Sequence, residues 1–268
     1  MQSSHRQKRK FSLRRGAALV LVLAGTVLLA AALAGQSGFY TGFDRLADGA
    51  PRSVESLFAQ ATRQDFKTLS PEDQMLRLYG AVSDRIPDSG RSPHTVFTNW
   101  IMWALGFVDS DLSTIRLPNN LLRYTDSAFC SQQSYLLLTL AQKAGFPTRH
   151  VGLIGHVVME SWYDGAWHMY DPTFGIVPKL NGKVASVVGL SENGSLLALY
   201  DGWPDIKAAF QQPQRHNYIA YPAGAYFVWK AQVLYHAEQA ADWLKFVLPA
   251  AFIALGGLLL ARPSGRLS

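Results

Sequence analysis

A chain of 268 residues, 49% of them hydrophobic, carries enough apolar material for one domain of ordinary size with a full core plus accessory segments, so a multidomain plan is not needed. The formal charge of +6 does not point to nucleic acid. Arg6, Lys8, Arg9, Lys10, Arg14 and Arg15 crowd the amino terminus and Arg262 and Arg266 lie at the other end, which leaves 17 bases against 19 acids over residues 16–261.

The amino-terminal tail, residues 1–15, precedes an uncharged segment at 16–35 dominated by Leu, Val and Ala. From Ala17 to Gly35 a helix would run about 28 Å, close to the hydrocarbon thickness of a bilayer. Six bases before it favour a cytoplasmic amino terminus and send the chain beyond Gly35 outside. Ala32-Leu33-Ala34 also has the small-x-small form of a signal-peptidase site. An uncleaved anchor is preferred because the run is longer than a usual signal core, and both alternatives put residues 36–242 beyond the membrane.

Residues 36–90 show mixed helical patterning, with a start at Ser70-Pro71-Glu72-Asp73, where a capping type precedes proline and two acids. The run TVFTNWIMWALGFV, from Thr95 to Val108, is strongly apolar and bounded by polar residues. The expectation is a core helix under a functional site.

The informative stretch runs from Thr125 to Gly175. In TDSAFCSQQSYLLLTLAQKAGF, Asp126 and Ser127 are capping types, an apolar stripe follows, and Gly145 sits where helices stop. Cys130, the one cysteine in the chain, then falls in the first turn. Free helix amides and the positive dipole end favour a thiolate there, and the thiolate is the nucleophilic form. A lone cysteine excludes an intramolecular disulfide, and its bland reading is a small buried apolar residue.

Beyond Gly145 the period changes to two. Thr148–Leu153 reads as a strand, and HVVMESWY and AWHMY read as a hairpin joined by Asp164-Gly165. Counting outward from that turn pairs Tyr163 with Ala166, Trp162 with Trp167 and Glu160 with Met169, and sets Val158 opposite Asp171. His156 then shares a sheet face with Asp171, diagonally adjacent at about 7 Å between Cβ atoms, within reach of an imidazole–carboxylate bond. His168 and Tyr170 fall on the other face. Glu160 lies on the favourable face, but nearer the turn. The face bearing His156 is expected to meet a helix packed on that side.

Residues 176–242, including GSLLALYDGW and YPAGAYFVWKAQVLYHA, should complete the sheet and add a helix. A second apolar run, from Phe246 to Ala261 within a segment at 243–261, has Trp243 before it and Arg262 after it, the order of an interfacial aromatic outside and a positive flank inside. It reads as a second membrane helix followed by a cytoplasmic tail at 262–268, although its length also suits a buried helix.

The segment AFCSQQSYLLLTLAQKAGFPTRHVGLIGHVVMESWYDGAWHMYDPTFG resembles the core motif of the transglutaminase-like superfamily. The matching features are a Cys opening a helix, a Gly-aromatic-Pro-x-Arg passage into a strand, a His starting the next strand, and Trp-His-Met-Tyr-Asp-Pro closing the hairpin. The resemblance covers about fifty residues. It implies an α+β, papain-like core, with a helix carrying Cys packed on an antiparallel sheet carrying His and Asp, here flanked by transmembrane helices. By position it makes Cys130 the nucleophile, His156 the general base and then acid, and Asp171 the orienting group.

The resulting expectation is a membrane-anchored cysteine enzyme of the bacterial cytoplasmic membrane, its domain facing the periplasm or cell exterior. It would form an acyl-enzyme on Cys130 and pass the acyl group of an amide or peptide to water or an amine. Substrates would be envelope proteins or peptides, with envelope-assembly proteins as further partners. The amide of Cys130 is one oxyanion donor, and the Asn99–Trp103 region is a guess for a second. No cofactor and no metal are expected, since neither a Cys-x-x-Cys nor a His-x-x-x-His pair occurs. The alternative is an inactive scaffold of the same fold that assists envelope polymer assembly or export.

Overall fold

The uncharged Leu, Val and Ala stretch near the amino terminus forms one continuous helix, α1 (Gln2–Gln36), whose segment Arg14–Gln36 is long and apolar enough to cross a membrane. The computed structural model describes residues 2–38, 49–220 and 229–261. Along the chain come α2 (Val54–Ala61), α3 (Pro71–Arg85), β1 (Asp88–Ser89), α4 (Val96–Leu105), α5 (Pro118–Tyr124), β2 (Ser127–Ala128) and α6 (Cys130–Lys143). Then come β3 (Thr148–Gly152), β4 (Val157–Tyr163), β5 (Ala166–Tyr170), β6 (Lys179–Leu180) and β7 (Lys183–Val184). Helices α7 (Val187–Ser191), α8 (Gly194–Leu197) and α9 (Pro204–Phe210), strand β8 (Asn217–Ala220) and helix α10 (Trp229–Ala261) complete the order.

Contacts divide these elements into two compact units. The first gathers residues 1–43, 93–114 and 237–268, and the second gathers residues 44–92 and 115–236. The carboxy-terminal tail at 262–268, with Arg262, lies outside the described residues.

In the second unit β5, β4, β3 and β8 form a four-stranded antiparallel sheet in that spatial order. The β4–β5 register is the one counted from the turn: Tyr163 opposes Ala166, Trp162 opposes Trp167 and Glu160 opposes Met169. Asp164 and Gly165 take φ of 51° and 78°, the left-handed pair a two-residue hairpin of this twist requires. One face presents Val151, Val158 and Met169 to Val187, Leu190, Leu197, Tyr200 and Phe210, all buried. Each such side chain contributes about 1.5–3 kcal/mol of transfer free energy.

Helix α6 packs on the opposite face. The Tyr135 ring meets His150 of β3 edge-on at 5.9 Å, and His150 pairs with Met159, so both belong to the face away from Val158. The face shared by Val158 and Met169 is covered by residues of α7, α8 and α9 instead. Helix α6 is also buried almost all round, from Gln132 to Leu138 and again at Leu140 and Ala141, which makes it the central element of the unit and not a striped surface helix. Gly145 ends it at φ 97°, as its position suggested. The α3 start is also as read, with Ser70 accepting from Asp73 N–H and proline in the first turn.

The first unit contains α1, α4 and the carboxy-terminal part of α10. Small residues let α1 and α10 approach closely: a Cβ built at Gly25 would lie 2.7 Å from the Pro249 carbonyl oxygen, and one at Gly256 would lie 2.7 Å from the Ala18 carbonyl oxygen. Ala18, Gly25 and Ala32 are buried along one line of α1, and Ala241, Lys245, Pro249 and Gly256 are buried on α10. Segment Gln232–Ala261 is the second helix long and apolar enough to cross a membrane. It starts well before the apolar run at 243–261.

Helix α4, the expected core helix, belongs with these terminal helices in the first unit. Two vacated carbonyls explain how it attaches. Pro249 has no N–H for the carbonyl of Lys245, and the Trp100 indole donates to that oxygen at 3.0 Å. At Asn99 the backbone leaves the helix (φ −161°, ψ 95°), Met102 N–H turns to the Asn99 side chain, and the Thr98 carbonyl accepts from Lys245 Nζ at 2.9 Å.

Candidate active site

Cys130 is the first residue of α6, so its amide has no intrahelical acceptor and its side chain sits at the positive end of the helix. The N-cap is Phe129, whose N–H donates to Gln132 Oε1 at 2.6 Å. Asp126 and Ser127 do not cap the helix, because Ser127-Ala128 is drawn into a parallel pairing with Asp88-Ser89. The thiol is partly exposed.

His156 is placed by a turn. Leu153 N–H donates to the His156 carbonyl at 2.8 Å across Ile154-Gly155, where Gly155 has φ 75°. β4 therefore begins one residue later, and His156 stands at the end of the sheet where β3 finishes and β5 delivers Asp171. The amino-terminal part of α6 reaches the same end, with Ser134 Oγ donating to the Val157 carbonyl at 3.0 Å.

The imidazole Nε2 lies 2.7 Å from Asp171 Oδ2, and Cys130 is near enough to the ring to act on its charge. Burial by itself would depress this imidazole. The Asp171 charge and hydrogen bond, helped by Cys130, outweigh it and raise the pKa from its ordinary 6.5 to about 9. With Nε2 committed to the carboxylate, Nδ1 is the nitrogen left to exchange a proton with sulfur.

Asp171 is fully buried and its carboxylate is saturated. Oδ1 accepts from the Thr173 and Phe174 amides at 3.1 and 3.4 Å, while Oδ2 accepts from His156 and from Tyr200 Oη at 2.8 Å. An Asx turn over Asp-Pro-Thr-Phe makes the first pair. Tyr79 of α3 adds a bond from its hydroxyl to the Asp171 carbonyl at 3.3 Å, and burial followed by the Asp171 charge pushes that phenol up to about 12. The same two causes push Tyr200 upward, which keeps it a donor.

The sequence reading missed Tyr200, Tyr79 and the Phe174 ring, whose centroid lies 4.8 Å from that of His156 and 4.4 Å from that of the partly exposed Trp203. The Asp-Pro-x-x-Gly string was a readable turn signal. Nothing in GSLLALYDGW marks Tyr200 as a site residue, because its relation to Asp171 is tertiary.

The other candidates have structural partners. Glu160 binds Arg149 at 2.6 Å and accepts from Val187 N–H at 2.7 Å. His168 is buried with its ring nitrogens at the carbonyls of Val184 and Tyr163. Burial holds His150 at about 4, hence neutral. Asn99, in the region guessed for a second oxyanion donor, donates its amide nitrogen to Asp242 at 3.1 Å and accepts from Met102 N–H through its oxygen. Among the described residues no group of three His, Cys, Asp or Glu is arranged to hold a metal ion.

No family model and no curated protein matches the chain. Among solved structures it is similar to a crystal structure of a TGase, at 16% identity and a TM-score of 0.31, over 53% of this chain and 36% of that one. The chain thus spans little more than a third of the length of the structure it matches.

Proposed function

We propose that this protein is a membrane-anchored cysteine enzyme of the transglutaminase-like type, with Cys130 as nucleophile, His156 as base and then acid, and Asp171 as orienting group. The observation that carries the proposal is the buried His156–Asp171 pair, with Cys130 at the start of α6 among the groups that act on the same imidazole. A nucleophile, a base in contact with it and a third group fixing the base are the parts acyl transfer needs.

Cys130 Sγ, its proton already resting on His156, attacks the carbonyl carbon of an amide or ester. The tetrahedral intermediate collapses, the His156 proton goes to the leaving amine or alcohol, and a thioester remains. Water or a second amine, deprotonated by His156, attacks that thioester and releases Cys130. The free amide at the start of α6 stabilises the developing oxyanion. Asp171 keeps the imidazole in the required tautomer and supports the imidazolium.

The anchor reading rests on Arg14–Gln36 and Gln232–Ala261, on the basic tail before the first and on Trp243 ahead of the most apolar part of the second. We place the chain in the bacterial cytoplasmic membrane with the Cys130 unit outside, acting on proteins or peptides of the envelope. Purified full-length protein incubated with activated peptide esters, then digested and analysed by mass spectrometry, tests the chemistry. An acyl adduct on Cys130 that water or an added amine discharges is expected. No adduct on wild type under conditions that acylate a small free thiol contradicts it and favours a scaffold.

A further inference from the structure

Residues 96–108 contain no charged side chain, yet their helix is too short to span a bilayer and leaves Trp103, Leu105, Phe107 and Val108 at 40, 40, 75 and 83% exposure. Trp103 and Phe107 touch edge to face at 4.9 Å, with Leu105 and Val108 beside them in the chain.

The height of these residues follows from α1. Gly25 is the midpoint of Arg14–Gln36, and α10 crosses it there through Pro249 and Ile253. Gly35 lies about 15 Å further along the axis, which is half of a hydrocarbon layer of about 30 Å. Gly35 is also where α4 rests: a Cβ there would collide with the Phe97 carbonyl. Trp243, 78% exposed on α10, stands about 9 Å beyond Pro249 on the same side, short of the level of Gly35.

The inward side of α4 is polar for a reason that fits this depth. Lys245 is buried, and near a bilayer its ammonium needs partners, which Asp242 and the Thr98 carbonyl supply, each at 2.9 Å. The polar side of α4 is thereby turned onto α10, and its apolar residues are left facing outward.

We propose that Trp103, Leu105, Phe107 and Val108 insert into the lipid leaflet at the carboxy-terminal end of α1, making α4 an interfacial wedge. This rests on the reading of α1 and α10 as membrane spans and is independent of the chemistry at Cys130.

The test uses full-length protein in phosphatidylethanolamine/phosphatidylglycerol vesicles. In a Cys130→Ser background, Phe107→Cys, Val108→Cys and, as a span control, Leu23→Cys are each labelled with an environment-sensitive fluorophore. The expected result is that labels at 107 and 108 are quenched about twofold or more by a nitroxide near the lipid headgroup, and less by one near the chain end or by aqueous iodide. The label at 23 should respond most to the deep nitroxide. Lipid quenching at 23 with iodide quenching alone at 107 and 108 overturns the wedge and leaves the anchors intact. Loss of lipid quenching at 23 overturns the anchor reading and the wedge with it.

Discussion

Tyr200 and His156 donate to the same oxygen of Asp171, Oδ2, at 2.8 and 2.7 Å. The phenol therefore shares the negative charge on which the imidazole depends. Replacing Tyr200 by Phe removes one charged hydrogen bond in a buried site, at a cost of about 1–3 kcal/mol. It also leaves more of the carboxylate charge to His156, so the imidazolium should persist to higher pH. Denaturant unfolding together with an NMR titration of the ring checks both. A lowered His156 pKa in Tyr200→Phe contradicts the shared-charge account.

The raised imidazole sets a pH window for stability. Its folded value, about 9, lies above its ordinary 6.5, so the folded state binds the proton more tightly. That contribution is complete below about 6.5 and is lost as pH rises through about 9. Midpoints measured from pH 6 to 10 should fall over this interval in the wild type and much less in His156→Gln. An equal fall in both would assign the loss to other groups.

Asp171→Asn keeps the volume and removes the charge. A carboxamide offers one acceptor oxygen to two pairs of donors, so it loses the preference for the working tautomer, and acylation should fall by about 10³-fold or more. Single-turnover acylation measures this. A variant within a few-fold of wild type would deny Asp171 its role.

Outside the site, the Trp100 indole serves a carbonyl that Pro249 leaves without a backbone donor. Trp100→Phe keeps the ring and strands that oxygen, which should cost about 1–3 kcal/mol. Thermal unfolding of the full chain in detergent, compared with Trp162→Phe at an exposed strand position, reads this difference. Equal shifts would remove the proposed interlock.

The hairpin carried most of what the sequence disclosed. Asp164-Gly165 fixed the register, and the register alone put His156 beside Asp171, because a period of two leaves no freedom once the turn is set. The Cys130 helix was legible from its apolar pattern and Gly145. Its packing face was not, since an all-round buried helix has no face to read. Which unit helix α4 joins was not legible for a related reason: an apolar run of that length looks the same in a domain core and against other long apolar helices. Tyr200 and Phe174 were out of reach because their contacts with Asp171 and His156 depend on how the α8–α9 region folds back over the sheet.

The central claim is that one imidazole activates one sulfur. Alkylation of the full-length protein by iodoacetamide across pH 5–10, with the adduct located by mass spectrometry, tests it directly. The account predicts rapid labelling of Cys130 that persists below pH 7 and is lost from that acidic range in His156→Ala. A rate that follows an ordinary thiol titration near pH 8.5, unchanged by His156→Ala, would contradict it.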